Sequence, residues 1–256
     1  MLKKYKKFLA LFSYLLAIAG LFLIVFHFQS MSENVAISDL ESKTLEEVEK
    51  SEKPVKPPDN FEDEKVQEAV LPEKFLLDVP FQSQAPFGDW SQPYQDGCEE
   101  ASIIMVKRFL ENKSLSKEEM KSEIDASVAW QEKNWGGHND LDAERTTELA
   151  NKYFDLSGYI LRNYDLDLLK KYISSGTPII APTAGRELGN PNFTGAGPEY
   201  HMLVIVGYND SQGVFITNDP GTRKGENYIY KYQTLLDAIS GPNVNKEKAV
   251  IILSSL

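Results

Sequence analysis

Cysteine occurs once in these 256 residues, at Cys98, and histidine only three times, at His27, His138 and His201. A lone thiol excludes an internal disulfide, and without sulfur partners it excludes a Cys-rich zinc site. Basic charge is also short: 27 Lys and Arg face 38 Asp and Glu, a net charge of −11. Phosphate binding needs clustered Lys and Arg, so nucleic acid is excluded as a partner. An acidic chain likewise gains no attraction to an anionic lipid surface. No internal repeat is present. The single cysteine is therefore either an inert packed thiol or a reactive one.

What is abundant is apolar and aromatic. A 42% apolar fraction with 13 Phe, 12 Tyr and 3 Trp fills a core, and the length suits one substantial domain with accessory segments. Lys3, Lys4, Lys6 and Lys7 precede an uncharged stretch over residues 8–32, long enough as a helix to cross a hydrocarbon core of roughly 30 Å. Residues 1–32 are thus expected to form a single transmembrane anchor with the N-terminus cytoplasmic and the rest of the chain on the far side. A cleaved signal peptide is the competing reading, but its apolar region would normally be about 7–15 residues long. Residues 33–74 turn to Glu, Lys, Ser and Pro with few apolar side chains, a composition that does not offset its ordering entropy, and are expected to form an acidic tether.

Residues 75–256 then form the folded domain. A helix is expected from Cys98 to Leu110, with apolar positions at Ile103, Ile104, Val106, Phe109 and Leu110. A second begins at Ser116, three residues before Glu119 in a capping-box pattern. Further helices are expected after Asp140, through Tyr153, and over residues 166–173, the last stopped by Gly176. Strands are expected over 178–181, 201–208, 213–218, 227–232 and 249–253, each short and rich in β-branched or aromatic residues. Helices followed by strands imply an α+β domain with a mainly antiparallel sheet.

Cys98 stands where the loop Gln95-Asp96-Gly97 gives way to a helix. Free amide N–H groups and the helix dipole at such a terminus favour the thiolate, the nucleophilic form, although a free cysteine elsewhere simply packs. A base must come from the small histidine set. His27 falls in the expected membrane segment. His138, in Gly136-Gly137-His138-Asn139-Asp140, fits a turn or surface role. His201 opens an apolar strand after a Gly/Pro/Asn-rich loop. Asp219 follows the next strand, so a paired hairpin sets it beside His201, where its carboxylate orients the ring; an Asp before Pro-Gly also serves as a plain turn former.

These residues resemble a known family. Val79-Pro80-Phe81-Gln82-Ser83-Gln84, then Cys98 with Ala101-Ser102, the strand from His201 to Tyr208 and the turn Asn218-Asp219-Pro220 are similar to the double-glycine, bacteriocin-processing cysteine peptidases, family thirty-nine, in their stand-alone "like" branch. The resemblance implies a papain-like fold, acyl transfer at a peptide bond, a catalytic set of Cys98, His201 and Asp219, and Gln84 as the oxyanion-hole glutamine. The family commonly has Gly-Pro or a similar pair after the cysteine, whereas Glu99-Glu100 follow here. Their charge near the sulfur opposes the thiolate, and the His201 imidazolium has to outweigh it. Trp90, Tyr94, Phe193 and Tyr200 are candidates for a substrate groove or for the core.

The expectation is a monomeric, membrane-anchored, extracytoplasmic cysteine peptidase acting on peptide or protein substrates, its chemistry requiring no metal or organic cofactor. A papain-like cell-wall amidase or acyl transferase, and a catalytically degenerate peptide-binding module, are the alternatives.

Overall fold

The computed structural model describes residues 70–240 and 248–256. The expected anchor, 1–32, lies outside them, as does the tether up to residue 69; among the described residues no helix is long and apolar enough to cross a membrane. The end of the tether segment is tied to the domain: the Pro72 carbonyl accepts from Tyr208 Oη at 2.8 Å and the Glu73 carbonyl from Asp210 N–H at 2.9 Å. Strand β1 (Lys74–Leu76) follows and pairs with β4 (Tyr200–Asn209), Phe75 opposite Tyr208. At Gly207 a Cβ would lie 2.5 Å from the Phe75 carbonyl, so only glycine lets β1 approach.

Helix α1 (Cys98–Leu110) has the predicted bounds. Ile103, Ile104, Met105 and Val106 are all fully buried, so it is a central helix that packs against β4 and not a surface one. Helix α2 (Lys117–Trp135) starts at the expected capping box: Ser116 Oγ accepts from Glu119 N–H, and a Glu119 carboxylate oxygen accepts from Ser116 N–H at 2.8 Å. Asp142, not Asp140, caps α3 (Ala143–Lys152), accepting from Arg145 N–H. Residues 137–142 are thereby left as a loop against the start of α1.

The domain is α+β, with one sheet ordered β2-β7-β3-β4-β5-β6, every pair antiparallel. Its strands are β2 (Leu156–Arg162), β3 (Ile179–Ala184), β4, β5 (Val214–Asn218), β6 (Tyr228–Lys231) and β7 (Ala249–Ser255). Helix α4 (Leu166–Ser174) precedes β3, and α5 (Tyr232–Ile239) follows β6. Helices and strands therefore interleave more than the expected helices-then-strands order. Two of the interleaved elements, β2 and α5, carried no prediction. β2 contains Gly158 and is exposed or half-buried at most positions, so its pattern is weak. It exists because all seven residues pair with β7.

The hairpin β4–β5 places the chemistry. Val204 lies opposite Asn218, and this register continued past β5 would bring residue 221 opposite His201. His201 and the turn after Asn218 thus share one end of the sheet, facing the N-terminus of α1.

Candidate active site

On the sheet side, His201 is 2% exposed and its Nε2 lies 2.7 Å from Asp219 Oδ1. A carboxylate only accepts, so Nε2 carries the hydrogen and Nδ1 is the nitrogen free to take a proton. Asp219 is fully buried yet well satisfied. Oδ1 also accepts from Gly221 N–H at 3.0 Å, and Oδ2 accepts from Tyr230 Oη at 2.6 Å and Asn190 Nδ2 at 3.1 Å. Burial by itself raises a carboxyl pKa; His201, through its charge once protonated and its hydrogen bond, together with the bonds from Tyr230 and Gly221, outweighs it and holds Asp219 below its usual value. The ring is clamped sterically as well. Phe193 packs edge-on with centroids 5.2 Å apart, and a Cβ at Gly221 would meet His201 Cε1 at 2.7 Å.

On the helix side, Cys98 is the first residue of α1, preceded by Gly97 with no side-chain cap, and is 3% exposed. Its Sγ lies 3.2 Å from Glu99 Oε2. The expected lowering of the thiol pKa by the helix terminus is not the net outcome in this resting geometry. Burial first, then the Glu99 carboxyl and Asp140, push the thiol well up, opposed by the Met202 backbone N–H one residue past His201. Glu99 and Glu100 do not project into solvent from the helix's first turn; both are fully buried. Glu99 Oε1 accepts from Leu141 N–H at 2.8 Å, and the Leu141 carbonyl accepts from Tyr200 Oη at 2.6 Å, linking α1, the 137–142 loop and β4. Glu100 accepts from Gln131 Nε2 and has His138 Nε2 at 3.6 Å.

His138 is accordingly no surface turn residue. Its side chain is 6% exposed against Glu100. Burial alone would lower its pKa, but the neighbouring Glu100 raises it on balance.

Cys98, His201 and Gln84 line one cavity of about 860 Å³. Of the candidate aromatic residues, Trp90, Phe193 and Tyr200 also line it. Tyr94 is buried elsewhere, its hydroxyl 2.6 Å from Asp125. The Gln84 amide presents a second departure. Nε2 donates to the Tyr94 and Gln95 carbonyls, both at 3.0 Å, while Oε1 is buried without a partner among the described residues. Flipping the amide would set Oε1 against two carbonyls, so this orientation is fixed. Both hydrogens hold the turn that leads into Cys98, and one would have to be released to reach an oxyanion. Asn190 and Tyr230, which complete the Asp219 shell, were not among the sequence candidates. They lie 29 and 11 residues from Asp219 with no local motif to mark them.

Residues 76–240 match the profile of the peptidase C39-like family. The chain belongs to that family. This C39-like protein is thus a cysteine peptidase by family. Among solved structures it is similar to one described as a C39-like peptidase from Bacillus anthracis, 18% identical over 72% of this chain and 99% of that one, with a TM-score of 0.50. It is also similar to xylellain, a cysteine protease from Xylella fastidiosa, 17% identical over 73% and 88% of the two chains with a TM-score of 0.40. A third is prointerpain A from Prevotella intermedia, 13% identical over 70% and 71%, with a TM-score of 0.43. No curated protein matches the chain by sequence.

Proposed function

We propose that this C39-like peptidase hydrolyses peptide bonds with Cys98 as nucleophile, His201 as base and then acid, and Asp219 as the group that orients the imidazole. A cysteine peptidase with one cysteine has one candidate nucleophile. The observation that carries the reading is the pairing, in a single cleft, of that thiol with a histidine whose Nε2 is held by a four-donor carboxylate. Nδ1 of His201 takes the thiol proton as Sγ attacks the substrate carbonyl carbon. The imidazolium returns that proton to the leaving amine, and water then cleaves the acyl-enzyme by the same route. The N–H of Cys98, at the helix terminus, supplies one oxyanion donor, and Gln84 supplies the second on releasing one of its two carbonyls.

The cleft lining is mixed in charge: Asp96 and Asp140 lie on the helix side, and Glu199, Arg223 and Lys224 on the sheet side. A peptide of mixed charge suits such a groove better than a uniformly anionic wall polymer. In the same reading residues 1–32 anchor the domain outside the cytoplasm; external protease added to spheroplasts then releases a soluble domain by cutting within 33–69, and protection of that segment contradicts the topology.

The test of the activity is cleavage of unfolded protein substrates by the 70–256 domain, with Cys98→Ala inactive and purified peptidoglycan uncleaved. A binding module without turnover is the rival, favoured if Glu99 sits ionised beside the sulfur, where its charge adds to burial in raising the thiol pKa. It prevails if the wild-type domain binds peptides and cleaves none.

A further inference from the structure

The Glu99 carboxyl touches the Cys98 sulfur, yet the reaction above leaves it without a task. It is fully buried, and among the described residues it makes no ion pair. Its partners are the Leu141 N–H on Oε1, its own backbone N–H, and the Cys98 thiol, which donates to Oε2. An anion in that position would face a second buried carboxyl, Glu100, on its own helix, and Asp140 from the adjoining loop acts on the neighbouring Cys98 sulfur. Asp96 lies in the turn before Cys98, Tyr200 and His201 face the site from β4, and the His138 ring sits 3.6 Å from Glu100 instead. Burying an unpaired charge among carboxylates is far costlier than burying the acid. Burial and Glu100 accordingly push Glu99 well above the usual carboxyl range. Oε1 accepts from the Leu141 N–H at 2.8 Å and Oε2 from the weaker thiol donor at 3.2 Å, so the acid hydrogen belongs on Oε2.

Building on the Cys98–His201 pairing, we propose that Glu99 is a positioning residue that works protonated, donating its carboxyl hydrogen to the Cys98 sulfur once the thiol proton has passed to His201. The balance is simple. One proton moves, from Sγ to Nδ1 of His201; the Glu99 proton stays on Oε2 and turns from a bystander into a hydrogen bond to the thiolate. The same side chain, through Leu141 and Tyr200, ties the sulfur's wall of the cleft to the strand that carries His201. A residue that opposes the thiolate as an anion supports it as an acid.

The experiment is the pH profile of Cys98 alkylation by iodoacetamide in wild type, E99Q, E99A and H201A, with the infrared carboxylic-acid carbonyl band recorded at neutral pH. E99Q keeps both an acceptor for Leu141 and an N–H for the sulfur. Its apparent thiol pKa is expected within about half a unit of wild type, while E99A raises it by about one unit or more. The infrared difference between wild type and E99Q is expected to show loss of a protonated acid. If both Glu99 variants lower the thiol pKa, or the wild-type spectrum lacks that band, Glu99 is an anion and the proposal is overturned while the triad stands. An E99A profile identical to wild type overturns it equally. If H201A leaves alkylation unchanged, the underlying Cys98–His201 pairing is what fails. Should E99A not fold, E99Q and the infrared band decide alone.

Discussion

Two buried carboxyls, one behind His201 and one beside Cys98, back the two walls of this cleft and meet opposite fates. Asp219, on the sheet side, receives four hydrogen bonds, one from an imidazole, and stays ionised despite complete burial. Glu99, on the helix side, is equally buried but receives only backbone N–H groups and a weak thiol donor, with no cation beside it, and faces a second carboxyl, so its proton is retained. Burial alone does not decide the charge of an acid. The number and sign of its partners decide it, and two carboxyls held in different protonation states allow one site to orient a cation and a nucleophile.

Replacing the same functional group on each wall sharpens the contrast. Asp219→Asn gives the imidazole an amide partner that can donate to Nε2, which favours the tautomer with hydrogen on Nδ1 and removes the base. A loss of roughly 10²–10⁴ in kcat is expected, measured on a peptide substrate. Next in size is Gln84→Ala, which removes a proposed oxyanion donor and both holds on the 94–96 turn. It is expected to cost roughly 10²–10³ in kcat with KM little changed, whereas Gln82→Ala, whose amide bonds the Leu115 carbonyl, leaves kcat nearly intact. Equal losses at both positions would make the segment's role structural.

Stability gives the smaller effects. Tyr230→Phe deletes one donor to a buried charge and should cost about 1.5–3 kcal/mol in chemical denaturation. The pH dependence then separates the walls by sign. Asp219 has a folded-state pKa below its unfolded value, so its contribution is present above the unfolded value of about 3.9 and is lost as pH falls through the folded one. Asp219→Asn therefore flattens the acid limb of stability. Glu99 has a raised folded-state pKa, so the unfolded chain releases a proton that the native state keeps, and stability falls as pH rises above about 4.3. Glu99→Gln removes that loss and gains on wild type as pH rises from 5 to 8 in thermal unfolding. A gain that shrinks with pH would contradict a protonated Glu99.

The parts of this site legible in the sequence are those written in local pattern. The apolar spacing after Cys98, the Ser116–Glu119 box and the two consecutive strands between His201 and Asp219, joined by a short turn, are each contiguous in the chain, and the structure has α1, the cap and the hairpin there. The illegible parts depend on distant segments meeting. Glu99 reaches Leu141, 42 positions on, and Asn190 reaches both Asp219 and Tyr230. His138 looked like a turn residue because its buried partner, Glu100, belongs to another element. Glu99-Glu100 read as a charged first turn of a helix, since nothing local reveals that both side chains point inward. The consequence was an expected helix-terminus effect on the thiol that burial outweighs.

The most direct test of the central claim is the rate of Cys98 alkylation by iodoacetamide near neutral pH in the wild-type domain and in His201→Ala, both confirmed folded. The account predicts that loss of His201 slows the reaction about tenfold or more by removing the acceptor of the thiol proton. Equal rates in the two proteins would mean that Cys98 and His201 do not act as a pair, and the peptidase mechanism described for this site would be wrong.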